Sequence, residues 1–444
     1  MGNQLSGVVP SMVLPVERHL LEWQDFKYEK SLGSTRFMKV AAAMHQEGPC
    51  VVKVIALQDA AQLLQYHRRL VDKIRSKLEN AYNCQPFCKA LATERSGFLV
   101  RPFGKDTLYD RLSTRPFLVS IEKVWISFQL LKALEECQRA GVCHGDVKSE
   151  NVLVSGSMWI HLVDFASYKP SHIPEDNPSD FAFFFDTSRR RTCYLAPERF
   201  LPSADINAAA MTAPFAKDLG SVASPASRGS PSPGKQATEG NTQTKTHAMD
   251  VFSVGCVLVE LMTDGCAPFD LSQMLNFRQG QYSPGSLVDR VSCPHLREMI
   301  SAMLHKHPSE RPTAHECLES QRGKAFPEIF YSFLFQYCAE LLVVQPLQSF
   351  DERIKKLKAD LPVILKRFDN DNASDESAVS LVIILSVVTS CMRALHFCRQ
   401  KMDSIEIVSK LATKLPSELI LDRVLPNLVS QRKNWSMLVL VLKS

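Results

Sequence analysis

Two short polar clusters, His144-Gly145-Asp146-Val147-Lys148-Ser149-Glu150-Asn151 and Asp164-Phe165-Ala166, constrain this chain more than any other feature. The segment between them is composed for a β-hairpin. Val152, Leu153 and Val154 form an apolar run, Ser155-Gly156-Ser157 supplies turn chemistry, and the return strand alternates through Ile160 and Val163. A hairpin of that length places Asp146 and Asp164 at one mouth, with Lys148 and Asn151 beside them.

These clusters resemble the catalytic and metal-binding loops of protein kinases. Phosphoryl transfer needs one carboxylate to take the attacking hydroxyl's proton, and a second carboxylate with an amide to hold Mg²⁺. The resemblance implies Asp146 as base, Lys148 on the γ-phosphate, and Asn151 and Asp164 on Mg. Lys53, in Val51-Val52-Lys53, resembles the strand lysine on the α and β phosphates of ATP or another nucleoside triphosphate. Its acidic partner stays open between Asp72 and Glu79. The nucleotide-covering stretch is Leu32, Gly33, Ser34, Thr35, Arg36, Phe37, Met38, Lys39 and Val40.

Departures from the kinase pattern cluster around the same site. Of three glycines that let backbone amides approach phosphates, only Gly33 remains, with Thr35 and Met38 at the other positions. Gly145 replaces the arginine that pairs with a phosphorylated activation loop, and Ala166 replaces the glycine after Asp-Phe. Arg189-Arg190-Arg191 reads either as a ligand for acidic protein or lipid phosphate or as a solvated charge run. Glu198 and Arg311 resemble the ion pair that ties the activation segment to the lower lobe.

The chain has 444 residues, enough for two or more domains, and its 45% hydrophobic content suffices for packed cores. The formal charge of +5, from 52 basic and 47 acidic residues, is too balanced to make nucleic acid the main partner. Thirteen cysteines without a secretory signal point to reduced thiols in a cytoplasmic compartment. Cys84 and Cys88 lack a completing ligand pair for zinc and read as core or surface thiols. The apolar run 381–389 reaches Arg393 too soon to span a bilayer and reads as a buried helix.

Residues 1–24 read as a leader beginning Met1-Gly2-Asn3-Gln4-Leu5-Ser6, which fits N-myristoylation of Gly2. An ordinary terminus is the competing reading. One acyl chain binds a membrane marginally and reversibly, so stable attachment needs a second contact. Residues 25–322 are expected to form a bilobal α+β kinase-like domain, with strands at 26–40, 49–56 and 98–101, and helices at 62–80 and 121–140. Asp106 is expected to cap a helix over 107–112. The Ser, Pro and Gly-rich stretch 202–247 is expected to be a disordered insertion, in which Ser224, Ser230 and Ser232 precede prolines. Residues 323–444 read as successive helices, the start of a HEAT-like solenoid.

Several longer stretches are similar to a narrower family: the Gly2 start, Leu32-Gly33-Ser34-Thr35-Arg36-Phe37, Asp164-Phe165-Ala166-Ser167, 184–194, and Arg322-Gly323-Lys324-Ala325-Phe326-Pro327-Glu328. On these the chain resembles the kinase-like regulatory subunit of class III phosphatidylinositol 3-kinase, of the vacuolar protein sorting family. The resemblance implies a membrane-associated scaffold for the catalytic lipid kinase and its autophagy and endosomal adaptor subunits. Its expected location is peripheral on late endosome and autophagosome membranes. An independently active Ser/Thr protein kinase is the alternative. Against the family's helical-repeat region and C-terminal β-propeller, this sequence reads as a shortened form.

Overall fold

The computed structural model describes residues 15–340, except 22, 24, 35–37, 57–59, 94–95, 116, 167, 187–189, 204 and 206–244, and a few isolated positions from 352 to 362. Gly2, the central part of the insertion and the run 381–389 therefore lie outside the described residues.

The upper lobe is a five-stranded antiparallel sheet. Its strands are β1 (Lys27–Ser34), β2 (Met38–His45), β3 (Gly48–Ala56), β5 (Lys89–Ala92) and β6 (Ser96–Pro102), in the order β1-β2-β3-β6-β5. Alternation decides its two faces, because successive side chains point to opposite sides of a strand. Ala41, Ala43, Val52, Val54, Phe98 and Val100 pack on one face with Phe26. Met38, Ile55 and Leu99 pack on the other, with Val71 of helix α2 (Ala60–Lys77). Part of the stretch read as a leader belongs to this lobe. Helix α1 (Val16–Leu20) buries Val16, His19 and Leu20 on the first face, and His19 Nδ1 meets Ser96 Oγ at 2.9 Å.

A second, four-stranded sheet lies below, ordered β4-β9-β8-β7. Its strands are β4 (Cys84–Gln85), β7 (Asp106–Thr107), β8 (Val152–Val154) and β9 (Ile160–Val163), the last two forming the expected hairpin. Helix α3 (Leu108–Ser113) is capped by Thr107, not by Asp106 as the sequence suggested. The reason is local. Thr107 and Asp110 are three apart and satisfy each other's backbone N–H groups at 3.1 and 3.2 Å, while Asp106 pairs with Val154.

The lower lobe is built on α4 (Ser120–Ala140). Trp125, Phe128, Leu131 and Leu134 are buried, and Gly141 ends the helix in a left-handed conformation, φ 59°. Against α4 lie α6 (His247–Met262) and α7 (Ala314–Gln321). The first residues past 323 join the same core. Phe326, Phe330 and Phe335 surround Phe128 with ring centroids 5.4 to 5.8 Å apart, in edge-on geometry favourable for aromatic pairs. Cys84 and Cys137 are core thiols with sulfurs 3.6 Å apart, and Cys88 Sγ lies 3.1 Å from Val100 O.

Candidate nucleotide and phosphotransfer site

The catalytic-loop cluster is held from below by backbone contacts. Asp250, in the first turn of α6, accepts the N–H groups of His144 and Gly145 at 2.7 and 2.8 Å. The buried His144 ring donates from Nε2 to Val163 O at 2.8 Å and accepts the Asp146 N–H at Nδ1, 3.2 Å. Those partners fix one neutral tautomer, and burial lowers the imidazole's pKa in agreement. Ala166 N–H donates to His144 O at 2.9 Å, so both clusters share one hydrogen-bonded frame.

Asp164 sits at the hairpin's end with φ 67°, a left-handed conformation that few residues other than glycine adopt. Its carboxylate meets two cations. Lys53 Nζ lies 2.8 Å from Oδ2, while Arg101 reaches Oδ1 with Nε at 2.7 Å and Oδ2 with Nη2 at 3.3 Å. Burial would raise the Asp164 pKa, but Arg101 and Lys53 override it and hold the group well below the usual carboxylate range. Lys53 thus has its acidic partner in Asp164. Asp72, one of the two helix candidates, pairs instead with Arg75 of its own helix, at 3.4 Å.

Asp146 is treated the same way. Lys169 Nζ is 2.6 Å from its Oδ2 and Lys148 Nζ is 3.6 Å away. Burial would raise this pKa too, and Lys148 and Lys169 instead hold it well below the usual range. Burial pushes Lys169 down to about 7, opposed by Asp146. Asn151 donates from Nδ2 to Asp146 O at 2.8 Å and Oδ2 at 3.2 Å. It commits its amide nitrogen and leaves its oxygen as the available metal ligand. Asp164, by contrast, has both oxygens occupied by cations. The residues present therefore fit Mg²⁺ only in part, and a metal at Asp164 must first displace Arg101 or Lys53.

Leu32 is exposed, Gly33 has φ 128° opposite Val40, and Ser34 pairs with Lys39 at the end of β1. Val40 is opposite Lys53 in the next register. Thr35, Arg36 and Phe37 lie outside the described residues. Met38 is buried with Leu99, Ala166 and Tyr168, and the Tyr168 hydroxyl donates to its sulfur at 4.0 Å. A packing residue thus stands where the third phosphate-loop glycine would be.

The activation segment folds over the catalytic loop. Phe185, just past α5 (Pro178–Phe184), is buried with Lys169 and Arg199 each 4.9 Å from its ring centroid, and its carbonyl accepts from Lys148 at 3.4 Å. Gly145 has φ 77°, and a Cβ there would come within 2.8 Å of the Lys245 stem. Lys245 Nζ donates to Ala166 O, and Arg199 donates to the carbonyls of Gly145, Pro170 and Ser171 at 2.8 Å each. Two cations thus fill the region left by the missing arginine. Arg190 is not part of a solvated run. It bridges Glu150 and Glu260, each at 2.9 Å, and Glu260 also accepts from the Tyr194 hydroxyl at 2.6 Å. The Glu198–Arg311 pair forms as read, bidentate with both contacts at 2.8 Å.

The structure thus brings Lys53, Asp146, Lys148, Asn151 and Asp164 into one cleft. Sequence reasoning missed Arg101, Lys169, Lys245 and Arg199 as parts of it. Arg101 left a signal, a charged residue closing the apolar run 98–100. Lys169 left only its distance of five residues from Asp164.

Residues 26–210 match the protein kinase domain, and residues 384–440 match the middle domain described as PIK3R4-like. A probable serine/threonine-protein kinase vps15 of Dictyostelium discoideum is 39% identical over 78% of this chain and 16% of its own length. A putative serine/threonine-protein kinase VPS15 of Komagataella pastoris is 33% identical over 97% of this chain and 33% of its length. The Saccharomyces cerevisiae serine/threonine-protein kinase VPS15 is 36% identical over 78% and 22%. The chain is a homologue of these Vps15 kinases. It spans between a sixth and a third of the length of these relatives. This homology and the two-lobed architecture agree, since a β-sheet lobe sits above a helical lobe and the middle-domain match follows both. Among the described residues, no helix is long and apolar enough to cross a membrane.

Proposed function

We propose that this chain is a regulatory scaffold subunit of class III phosphatidylinositol 3-kinase, whose kinase-like domain holds a nucleoside triphosphate as a structural ligand. One observation carries the second half. Both carboxylates that an active kinase needs free are closed by cations of the chain itself, Lys169 on Asp146 and Arg101 with Lys53 on Asp164. A nucleotide held without turnover still stabilises the fold by mass action. The homology and the PIK3R4-like match at 384–440 support the first half. In this reading the subunit supports phosphatidylinositol 3-phosphate formation in endosomal trafficking and autophagy. Gly2 carries a myristoyl chain, and the subunit is peripheral on late endosome and autophagosome membranes.

A second reading, an independently acting Ser/Thr kinase, draws on the gathering of Lys53, Asp146, Lys148, Asn151 and Asp164 in one cleft. When bound, Mg²⁺ would supply charge neutralisation between the phosphates. For this chain's residues, Lys169 must leave Asp146 before its carboxylate can accept a Ser or Thr hydroxyl proton. Lys148 already stands beside Asp146 to face the transferred group. Two measurements separate the readings. Gentle co-purification with the catalytic lipid kinase supports the scaffold, and its failure in both tagged orientations would sink it. Phosphate transfer that vanishes in Asp146→Ala establishes the kinase instead.

A further inference from the structure

Two cations converge on one carboxylate in the cleft. Lys53 and Arg101 both meet Asp164, one positive charge more than that carboxylate balances. Arg101 and Asp164 are buried, and the Lys53 side chain is only 12% exposed. Buried charge without a partner is costly, so such a surplus favours an anionic occupant. In an ordinary kinase the balance is reversed, with two carboxylates and the phosphates made compatible by divalent metal.

Arg101 is the residue that changes the sign. It is 6% exposed and aims the edge of its guanidinium at both oxygens of Asp164. A guanidinium is charged at every accessible pH and presents several fixed donors, so it neutralises Asp164 and retains donors for a phosphate. Its only other described hydrogen bond is from Nη1 to Pro102 O, at 3.1 Å.

We infer that Arg101 is a resident counter-ion which takes the place of divalent metal at Asp164, so that the cleft binds a polyphosphate anion with little dependence on Mg²⁺. This deepens the nucleotide reading above by assigning the chemistry that holds the phosphates. It involves no bond making, only exchange of partners among charged groups. Arg101 acts here as a binding residue.

The test uses the full chain and thermal shift titrations with inorganic tripolyphosphate, ATP and GTP, each in EDTA and in Mg²⁺. Wild type is expected to bind tripolyphosphate and at least one nucleotide in EDTA with affinity within about threefold of that in Mg²⁺. Arg101→Met is expected to lose about tenfold or more in EDTA, the scale of a charge-assisted hydrogen bond, and to recover with Mg²⁺ as Asp164 becomes available to metal. Stabilisation of wild type that requires Mg²⁺ would overturn the inference, as would Arg101→Met binding like wild type in EDTA. Should Arg101→Met not fold, Arg101→Gln serves in its place, and the wild-type metal comparison decides by itself. Tripolyphosphate binding in EDTA without ATP or GTP binding would refute the nucleotide reading and leave the anion site standing. Failure of tripolyphosphate in EDTA refutes the anion site.

Discussion

The lower lobe and the cleft use charged groups in opposite ways. Below, three charged groups have fixed partners: Asp250 accepts two backbone N–H groups, Arg311 forks onto Glu198, and Arg190 is shared by Glu150 and Glu260. In the cleft, one buried carboxylate, Asp164, is shared by two cations, Lys53 and Arg101. These lower-lobe contacts are therefore complete as they stand, whereas the cleft is arranged to be completed by something else. Kinase architecture is maintained here independently of the charge balance that kinase chemistry uses.

The sharpest way to break this contrast is to remove one carboxylate from each region. Glu198→Ala leaves the Arg311 guanidinium, whose side chain is fully buried, without its anion. Its cost is expected to be about 3 kcal/mol in equilibrium urea unfolding, the low end for a broken buried pair, and no polyanion should restore it. Asp164→Asn is expected to cost about 2 kcal/mol, because Lys53 and Arg101 retain each other's repulsion without the carboxylate. Here tripolyphosphate should restore most of the loss. If the same ligand rescues both variants or neither, the distinction between complete lower-lobe contacts and an incomplete cleft fails.

A pH profile sharpens the same comparison. Burial depresses Lys169 to about 7, and Lys245, beside Arg199, also to about 7. Both return to the ordinary lysine value near 10.5 on unfolding. Between those values the unfolded chain binds more protons, so the contribution of these two groups to stability rises with pH and is at its worst below about 7. Lys169→Met should flatten the rise between pH 7 and 10 by about 1–2 kcal/mol, read from urea midpoints at each pH. An unchanged slope would mean that Lys169 keeps its ordinary proton affinity. The smallest expected effect is Tyr194→Phe, which deprives Glu260 of one of two donors while Arg190 remains. About 1 kcal/mol is expected, and a neutral result would assign Glu260 wholly to Arg190.

Much of the fold was readable because its determinants are local. The hairpin between the two acidic clusters announces itself by an apolar run, a Ser-Gly-Ser turn and an alternating return, and Gly141 marks the end of α4. The Glu198–Arg311 pair was readable from two motifs of fixed role. Errors arose where neighbours compete. Thr107 wins the cap from Asp106 by completing a reciprocal pair with Asp110, while α1 escaped notice because five residues carry little periodicity. In the site, the residues that carry motifs were found and their partners were not. Lys53 was given two helix carboxylates to choose between, and the structure gives it Asp164, which already had another role in the sequence reading.

By itself the sequence determined the two-lobed framework, the position of both acidic clusters and the Vps15 kinship, because turn chemistry, strand alternation and motif spacing act over a few residues. Only the tertiary structure decided the charge state of the cleft. Arg101 approaches Asp164 across 63 residues and Lys169 approaches Asp146 across 23, distances over which no local pattern specifies a contact. Burial then makes those contacts matter: the same cations on a solvated surface would be screened, and packed against buried carboxylates they set what the site can hold.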